Sequence, residues 1–517
     1  MFERSRRCCA TGCLLVLAGA CAAAAQTTDE VNSGIQLNFT PPGARSLGMG
    51  GAFIAVATDA TAAVSNPAGL TQLTESEISI ELLVSDFSHT YADGGAIFGE
   101  PTGIGINTVA GLQEREAENQ TVGASYISGV LRPKVENRWT LAAFRHELAN
   151  FRASYRREGA FVGPFDLPDG GTWPANGLPA RTRPAIMEMD LQIDSYGLAG
   201  AYELIDDTLS LGVVVAINDF TIDASTERFS SKGGRLFEPP DYSPENLRVI
   251  QVQQGSDVAL SFSAGYLWRL TDNLSMGGVV RLGPEFDYEA RRVLGPQSDA
   301  DDTFLVQPAK FHVPDLFGFG FAYRVPNTCS SWEGQEEEKA RETRKEPCLR
   351  VAVEWDRVGY SKMTNEITSP FDTSGPMTLD SLTGRTAFVE VEDGSEYHIG
   401  AEYTFKRTWT SLRAGAWLDP DHRFAVKDPR TAADQRASAF FRPGEDTWHY
   451  SVGAGWKLND CPPMPQGEVC QKQQRESRRN ENEKEMGLGR QAEYHIDFAI
   501  DYSEALTTFT ISTVVRY

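Results

Sequence analysis

The chain has 517 residues, of which 71 are acidic and 48 are basic, giving a formal net charge of −23 at pH 7. This balance argues against nucleic acid as a partner, because surfaces that bind nucleic acid are basic. The length allows either several soluble domains or one large β-barrel with long loops.

Residues 1–25 have the three parts of a secretory signal peptide. Arg4, Arg6 and Arg7 form the basic start, residues 14–17 form the apolar centre, and three alanines end the segment. An uncleaved anchor helix is the alternative, but the apolar centre is short for a membrane span. No later stretch of about 18 apolar residues occurs, so helical spans are excluded. We therefore expect a protein that is exported and loses residues 1–25.

Residues 26–75 are rich in glycine and alanine, carry few charges and show no strand-like alternation. A phosphate-binding loop would need a Lys-Ser/Thr pair and a preceding strand, and the segment has neither. Small residues suit a backbone that packs tightly inside a barrel, and an Asn-Pro pair favours a turn. We therefore predict that this segment is a plug, or hatch, in the barrel formed by residues 76–517. Its key positions are Gly48, Gly50, Gly51, Asn66 and Pro67.

From about residue 76 onward, segments of about ten residues alternate between apolar and small or polar side chains, as in barrels that cross a membrane. One such face consists of Tyr494, Ile496, Phe498, Ile500 and Tyr502. A soluble β-sandwich would alternate as well. Tryptophans near predicted strand ends and a final strand with an aromatic carboxyl terminus favour the membrane barrel.

The connections between these segments predict the number of strands. Six links, at 133–137, 206–207, 271–273, 326–348, 406–409 and 459–491, alternate with seven others, most of them long and rich in Gly, Pro and Asp. Thirteen connections give fourteen strands, and an even number is expected for an outer-membrane barrel. Short turns belong to the periplasmic side, so both chain ends should lie in the periplasm.

Two of the six links are long, highly charged and contain cysteines. The mature chain keeps four cysteines: Cys329, Cys348, Cys461 and Cys470. In an exported protein they suggest two disulfides, most simply between nearest neighbours, although three connectivities are open and a zinc site is the alternative. We interpret the links 326–348 and 459–491 as solvated periplasmic insertions closed by disulfides. A docking surface for a periplasmic partner is the sharper hypothesis.

The stretch from Leu47 to Leu70, with Leu47-Gly48-Met49-Gly50-Gly51 and Asn66-Pro67-Ala68-Gly69-Leu70, resembles the hatch of the FadL/TodX-type outer-membrane transport family. Segments after residue 310, such as Gly318-Phe319-Gly320-Phe321, are similar to strand signatures of that family in the same order. The resemblance implies an all-β fold, a fourteen-stranded antiparallel transmembrane barrel with the N-terminal hatch in its lumen. It also implies that fatty acids or hydrocarbons land on the outer loops, move to a lumen pocket and leave through a gap at the third strand by passive diffusion.

Apolar side chains are the first candidates for ligand binding. In the mature N-terminus these are Ile35, Leu37 and Phe39, and in the outer loops Phe161, Phe165 and Trp173. The loop aromatics could instead pack the loops together as a lid. Arg413 is a candidate for a two-pronged hydrogen bond to a carboxylate ligand. The alternative is that it pairs with another charge across the lumen.

We therefore expect an outer-membrane passive transporter of hydrophobic small molecules, in contact with membrane lipid and lipopolysaccharide. The sequence has no enzyme motif with supporting context, and we expect no cofactor and no metal. The alternative function is protein interaction, because type IX secretion shuttle proteins resemble this chain in the Leu-Gly-Met-Gly-Gly hatch and carry secreted proteins.

Overall fold

A computed structural model describes residues 35, 39–96, 111–133, 138–159, 161–162, 165–166, 171–173, 180–181, 184–229, 241–294, 304–330, 346–363, 391–426, 441, 443–458 and 492–517. The predicted signal peptide, Leu37, Cys461, Cys470 and the charged parts of both insertions lie outside these residues. The docking hypothesis for the insertions therefore stays a prediction.

Long antiparallel strands account for most of the described residues. The first six are β1 (Glu77–Ala96), β2 (Gly111–Leu131), β3 (Trp139–Arg157), β4 (Ala185–Ile205), β5 (Leu209–Phe229) and β6 (Leu247–Arg269). Two interrupted strands follow, β7 (Leu274–Leu282 and Glu285–Leu294) and β8 (Phe304–His312 and Leu316–Val325). The last six are β9 (Leu349–Val358), β10 (Gly394–Phe405), β11 (Thr410–Asp419), β12 (Thr447–Leu458), β13 (Glu493–Tyr502) and β14 (Leu506–Arg516).

The sheet closes on itself because β14 pairs with β1, from Glu77 opposite Arg516 to Phe87 opposite Leu506. The prediction of a closed fourteen-stranded antiparallel barrel is confirmed. β7 and β8 are each broken next to a proline, which cannot donate a ladder hydrogen bond. The first half of β7 pairs with the second half of β8, and the second half of β7 pairs with the first half of β8.

The strands differ in length from the prediction. A membrane strand needs about 9–11 residues, yet β6 has 23 residues and β4 and β5 have 21 each. The expectation of ten-residue segments is wrong for β1 to β6, which have 19 to 23 residues each. Within the loop after β3, two further short ladders form, Phe161–Val162 with Ala180–Arg181 and Phe165–Asp166 with Thr172–Trp173.

The predicted alternation is confirmed along the barrel. In β13, Asp497, Ala499 and Asp501 are buried, whereas Ile500 and Tyr502 are exposed. Large apolar side chains cover the outside of the barrel; Leu198 of β4, for example, is 70% exposed. A soluble sandwich would bury such a row, so the outward apolar surface indicates contact with lipid.

The described residues of the N-terminal segment form only short helices. They are α1 (Ala44–Leu47), α2 (Ala62–Ser65) and a 3₁₀ turn over Pro67–Gln72. Among the residues that the structure describes, no helix is long and apolar enough to cross a bilayer.

A disulfide joins Cys329 and Cys348, with their Cα atoms 4.9 Å apart. It closes the link between β8 and β9, as the nearest-neighbour pairing predicts. Cys348 also lies beside the next turn, because its carbonyl accepts a hydrogen bond from the Thr404 N–H at 3.0 Å.

Candidate functional site

The N-terminal segment lies across the lumen, in contact with opposite walls. Gly48 packs on the backbone of β12, where a Cβ on Gly48 would lie 3.1 Å from the Cα of Gly453. Gly50 has a φ of +62°, and a Cβ there would lie 2.7 Å from the backbone nitrogen of Ala416 in β11. Only glycine tolerates this conformation and this approach without strain. Gly48 and Gly50 therefore allow the backbone of the N-terminal segment to pack directly against the backbones of β12 and β11.

Gly51, which follows with a φ of +74°, lies against the ring of His398 in β10. Asn66 and Pro67 hold the other side of the segment. The Asn66 side chain accepts a hydrogen bond from the Ala68 N–H at 3.2 Å and donates to the carbonyls of Ile54 and Tyr266 at 2.9 and 3.0 Å. Tyr266 belongs to β6, so one amide both forms the predicted turn and ties it to the wall.

Charged groups fix the same segment to the barrel. Arg45 of α1 donates from Nε and Nη2 to the two carboxylate oxygens of Glu402 in β10, at 2.8 and 3.0 Å. It also bonds Asp59 at 3.1 Å. Burial disfavours its charged form, but the carboxylates of Glu402 and Asp59 outweigh that effect and raise the pKa of Arg45. The guanidinium is therefore a permanent charged link between segment and wall.

Glu354 of β9 provides a second link. One of its carboxylate oxygens accepts hydrogen bonds from the backbone N–H groups of Phe53 and Ile54, both at 2.7 Å. Bonds of this kind to an ionised acceptor are stronger than neutral ones. Two neighbouring strands, β9 and β10, thus hold the segment through buried carboxylates.

Arg413, the predicted carboxylate-binding residue, is almost fully buried in the lumen. Its Nε donates to Glu402 at 2.8 Å and its Nη1 to Asp497 at 2.5 Å. The two prongs of the guanidinium thus contact carboxylates of the chain itself. This arrangement is the one that the alternative interpretation of Arg413 predicts, in which it pairs with another charge across the lumen.

The hydrogen-bonded wall is incomplete between β2 and β3. Their ladder runs only from Leu131 opposite Leu141 to Tyr126 opposite His146. Beyond that point, in the described residues, the ladder of β2 continues with β1 alone and that of β3 with β4 alone. A register shift at residues 147–149 leaves Leu148 without a ladder partner.

A cavity, here called the gap cavity, lies inside this interruption. It has about 1150 Å³ of empty space, including space open to solvent. Its apolar lining includes Leu83, Phe87, Phe151 and Leu506, and Pro42 of the N-terminal segment also borders it. Phe87 and Phe151 pack edge-to-face with ring centres 5.3 Å apart, so aromatic side chains bridge β1 and β3 behind the gap.

A second cavity, the inner cavity, has about 720 Å³ of empty space on the other side of Leu148. Phe39, Phe144, Val214 and Leu316 supply part of its apolar lining. Thr40, His146 and Leu148 border both cavities. Leu148, which has no ladder partner, therefore lies between the inner cavity and the gap cavity.

One histidine beside the gap cavity carries a charge at neutral pH. Burial disfavours the charged form of His422, but the carboxylate of Asp419, 3.4 Å away, and the Pro420 carbonyl raise the pKa of His422 to about 9. The ring stacks on Tyr360 with centres 4.7 Å apart. Because its charge is matched by Asp419, the cavity stays close to neutral there.

The predicted apolar ligand residues are placed in two regions. Ile35 is buried in the apolar cluster of the lumen, and Phe39 borders the inner cavity with its ring 6.0 Å from that of Tyr360. Phe165 and Trp173 are opposite each other in a short loop ladder, and Phe161 is opposite Arg181 in another. Binding of ligand by these residues stays a prediction.

Sequence reasoning missed Leu148, because the change of phase that marks it is seen in the burial pattern of the folded strand. In β3 the buried residues have even numbers up to Phe144 and odd numbers from Ala149 onward. Such a change of phase requires one extra residue in the strand, which is a β-bulge. Bulges re-aim side chains, and here the bulge lies where the ladder stops.

No protein-family model matches the sequence, and no curated protein sequence matches it either. Solved structures do match. The crystal structure of a Pseudomonas aeruginosa FadL homologue has a TM-score of 0.51 and 11% identity, covering 93% of this chain and 98% of that one. The Pseudomonas putida toluene transporter TodX has a TM-score of 0.50 and 11% identity, covering 93% and 99%. The fold is that of FadL-type outer-membrane channels.

Proposed function

We propose that the protein is a passive outer-membrane transporter of hydrophobic small molecules, either long-chain fatty acids or hydrocarbons. The observation that carries this proposal is the interrupted β2–β3 ladder, with an apolar cavity directly behind it. A ligand would pass from the outer loops to the inner cavity, past Leu148 and out sideways into the membrane.

The position of the N-terminal segment supports a sideways exit. Its hydrogen bonds to β6, β9 and β10 favour a role as a hatch across the lumen. Passage along the axis would break buried charged hydrogen bonds, whereas the wall gap between β2 and β3 has no ladder hydrogen bonds to break among the described residues.

The lining fits a hydrophobic ligand. Burying each methylene group is worth about 0.8 kcal/mol, so an apolar chamber can hold an acyl chain or an aromatic ring without a charged anchor. Of the basic residues in the two linings, His422 is paired with the carboxylate of Asp419, and Arg281 donates to the carbonyls of Phe39 and Ser65. TodX, which has this fold, is a toluene transporter.

The partition at Leu148 gives a direct test. Leu148→Trp should fill the passage between the two cavities, while Leu198→Trp makes the same change on the lipid-facing side of β4. Initial uptake of radiolabelled oleate and of toluene is measured in a Gram-negative host that lacks its own fatty-acid channel. We expect Leu148→Trp to lower uptake to that of cells without the protein, and Leu198→Trp to leave it unchanged. Equal uptake by both variants would argue against the route.

A further inference from the structure

A buried acidic pair on neighbouring strands has one histidine, and no arginine or lysine, within ion-pair distance among the described residues. Asp356 of β9 is directly opposite Glu396 of β10, and the two side chains are 5% and 2% exposed. Like charges directly opposite each other destabilise a sheet, and buried carboxylates need a paired charge or a metal. The pair therefore calls for a cation.

The arginine that interacts with this pair is used elsewhere. Arg281 of β7 interacts electrostatically with this acidic pair, but its hydrogen bonds go to the carbonyls of Phe39 and Ser65 in the N-terminal segment. Glu396 accepts one hydrogen bond, from the Tyr360 hydroxyl at 2.8 Å. Asp356 Oδ1 is buried and has no hydrogen-bond partner among the described residues.

His398 adds a nitrogen donor to this pair. It is 4% exposed, and its Nε2 lies 3.4 Å from Glu396 Oε2 and 3.7 Å from Asp356 Oδ2. In the part of the chain that the structure describes, Nε2 makes no hydrogen bond. With bonds of about 2.0–2.1 Å, two ligand atoms on a tetrahedral Zn²⁺ lie about 3.3 Å apart. These spacings suit ligands of one ion, and all three ligand atoms lie within 4.8 Å of one another.

The other ring nitrogen is held as in a metal ligand. His398 Nδ1 lies 2.8 Å from the carbonyl of Gly50 in the N-terminal segment, and donating a proton to that carbonyl leaves the lone pair on Nε2. Metal-binding histidines usually donate their second N–H to a carbonyl or carboxylate in this way. Trp417 also stacks on the His398 ring with centres 5.3 Å apart, which restricts its rotation.

We propose that Asp356, Glu396 and His398 bind a divalent first-row transition metal, with Zn²⁺ the best match. Imidazole selects this class over Ca²⁺ and Mg²⁺, which prefer oxygen ligands. The ion would cancel the repulsion between β9 and β10 and, through His398 and Gly50, fasten the N-terminal segment to the wall. The proposal does not depend on what the barrel transports.

The test uses the full chain, purified from outer membranes in detergent, dialysed against EDTA and titrated with ZnCl₂ in competition with a fluorescent chelator. Asp356→Asn removes a ligand charge and keeps the side-chain size. Asp501→Asn is the matched control, because Asp501 is equally buried and bonds another lumen histidine, His449, at 2.7 Å. Folding of each variant is checked by its heat-modifiable mobility on gels, and Glu396→Gln replaces Asp356→Asn if that variant does not fold.

We expect one saturable Zn²⁺ site in the wild type and in Asp501→Asn. Loss of an outer-shell partner already weakens metal binding about 10–100-fold, so loss of a ligand in Asp356→Asn should weaken it at least about 100-fold. X-ray absorption should show nitrogen and oxygen neighbours with an imidazole signature. No saturable binding, equal affinity in Asp356→Asn and the wild type, or sulfur ligands would each overturn the proposal. The first result would mean that a protonated His398 alone balances the acidic pair.

Discussion

Replacing Arg45 with methionine should loosen the N-terminal segment without unfolding the barrel. Arg45 is the residue of that segment that pairs with Glu402, and its side chain is 17% exposed. Breaking a buried ion pair costs about 3–5 kcal/mol because a charge is left without its partner. Glu402 keeps Arg413 at 2.8 Å and Arg350 at 3.6 Å, so we expect the lower end of that range.

A loss of about 3 kcal/mol corresponds to a factor of about 10² in the equilibrium for opening the segment, since 1.4 kcal/mol is tenfold. Amide hydrogen exchange followed by mass spectrometry measures this opening directly. In the Arg45→Met variant, peptides that cover residues 44–72 should exchange about a hundredfold faster, while peptides from β4 and β5 keep their protection.

The matched control is Arg138→Met. Arg138 pairs with Asp206 at 2.6 Å beside the turn between β4 and β5, but the two side chains are 45% and 68% exposed. Exposed ion pairs are worth about 0–1 kcal/mol, so exchange in residues 44–72 should not change. If Arg45→Met and Arg138→Met exchange alike over these residues, the electrostatic account of how the segment is held is wrong.

Three further changes test other parts of the structure. Gly50→Ala should lower the free energy of unfolding by at least about 1–2 kcal/mol, since φ is +62° and the new Cβ would lie 2.7 Å from the nitrogen of Ala416. The melting temperature in detergent should therefore fall. Gly129→Ala should leave it unchanged, because a Cβ there contacts nothing within 4 Å. Cys329→Ser should lower the unfolding free energy in urea by about 2–4 kcal/mol through loss of the disulfide, and an unchanged midpoint would show that the bond constrains little. Val452→Arg, at the centre of the lipid-facing row of β12, should lower the stability of the barrel in a membrane by about 2–4 kcal/mol and reduce folding into lipid vesicles. If Val452→Arg folds as efficiently as Val452→Leu, the assigned membrane face is wrong.

The barrel could be predicted from the sequence because its cause is local. A two-residue period decides which side chains of β9, β12 and β13 face lipid, and the structure has the same rows exposed. Strand number followed from counting turns. Strand length could not be predicted in this way, because β4 to β6 have 21 to 23 residues, about twice the 9–11 that a membrane strand needs, and nothing in the alternation marks where a strand of that minimum length would end.

The site was predictable only in part. The close approaches of Gly48 and Gly50, and the turn at Asn66, follow from what small residues and an Asn-Pro pair permit. The partners of those residues cannot be predicted from the sequence. Gly453, Ala416 and the Tyr266 carbonyl are hundreds of residues away along the chain, and barrel closure brings them near. The cluster of Asp356, Glu396 and His398 was missed for the same reason, since it depends on the register of β9 against β10.

Cross-linking the two sides of the wall gap tests the transport route most directly. Ser125 and Glu147 are the next residues in register beyond the last ladder pair, Tyr126 and His146, and both border the gap cavity. Cysteines at both positions are joined with a short bis-maleimide, and each single-cysteine variant receives the same treatment. We expect uptake of oleate or toluene to stop in the cross-linked protein and to continue in the single variants. Undiminished uptake by a barrel that mass spectrometry shows to be fully cross-linked would contradict a sideways exit between β2 and β3.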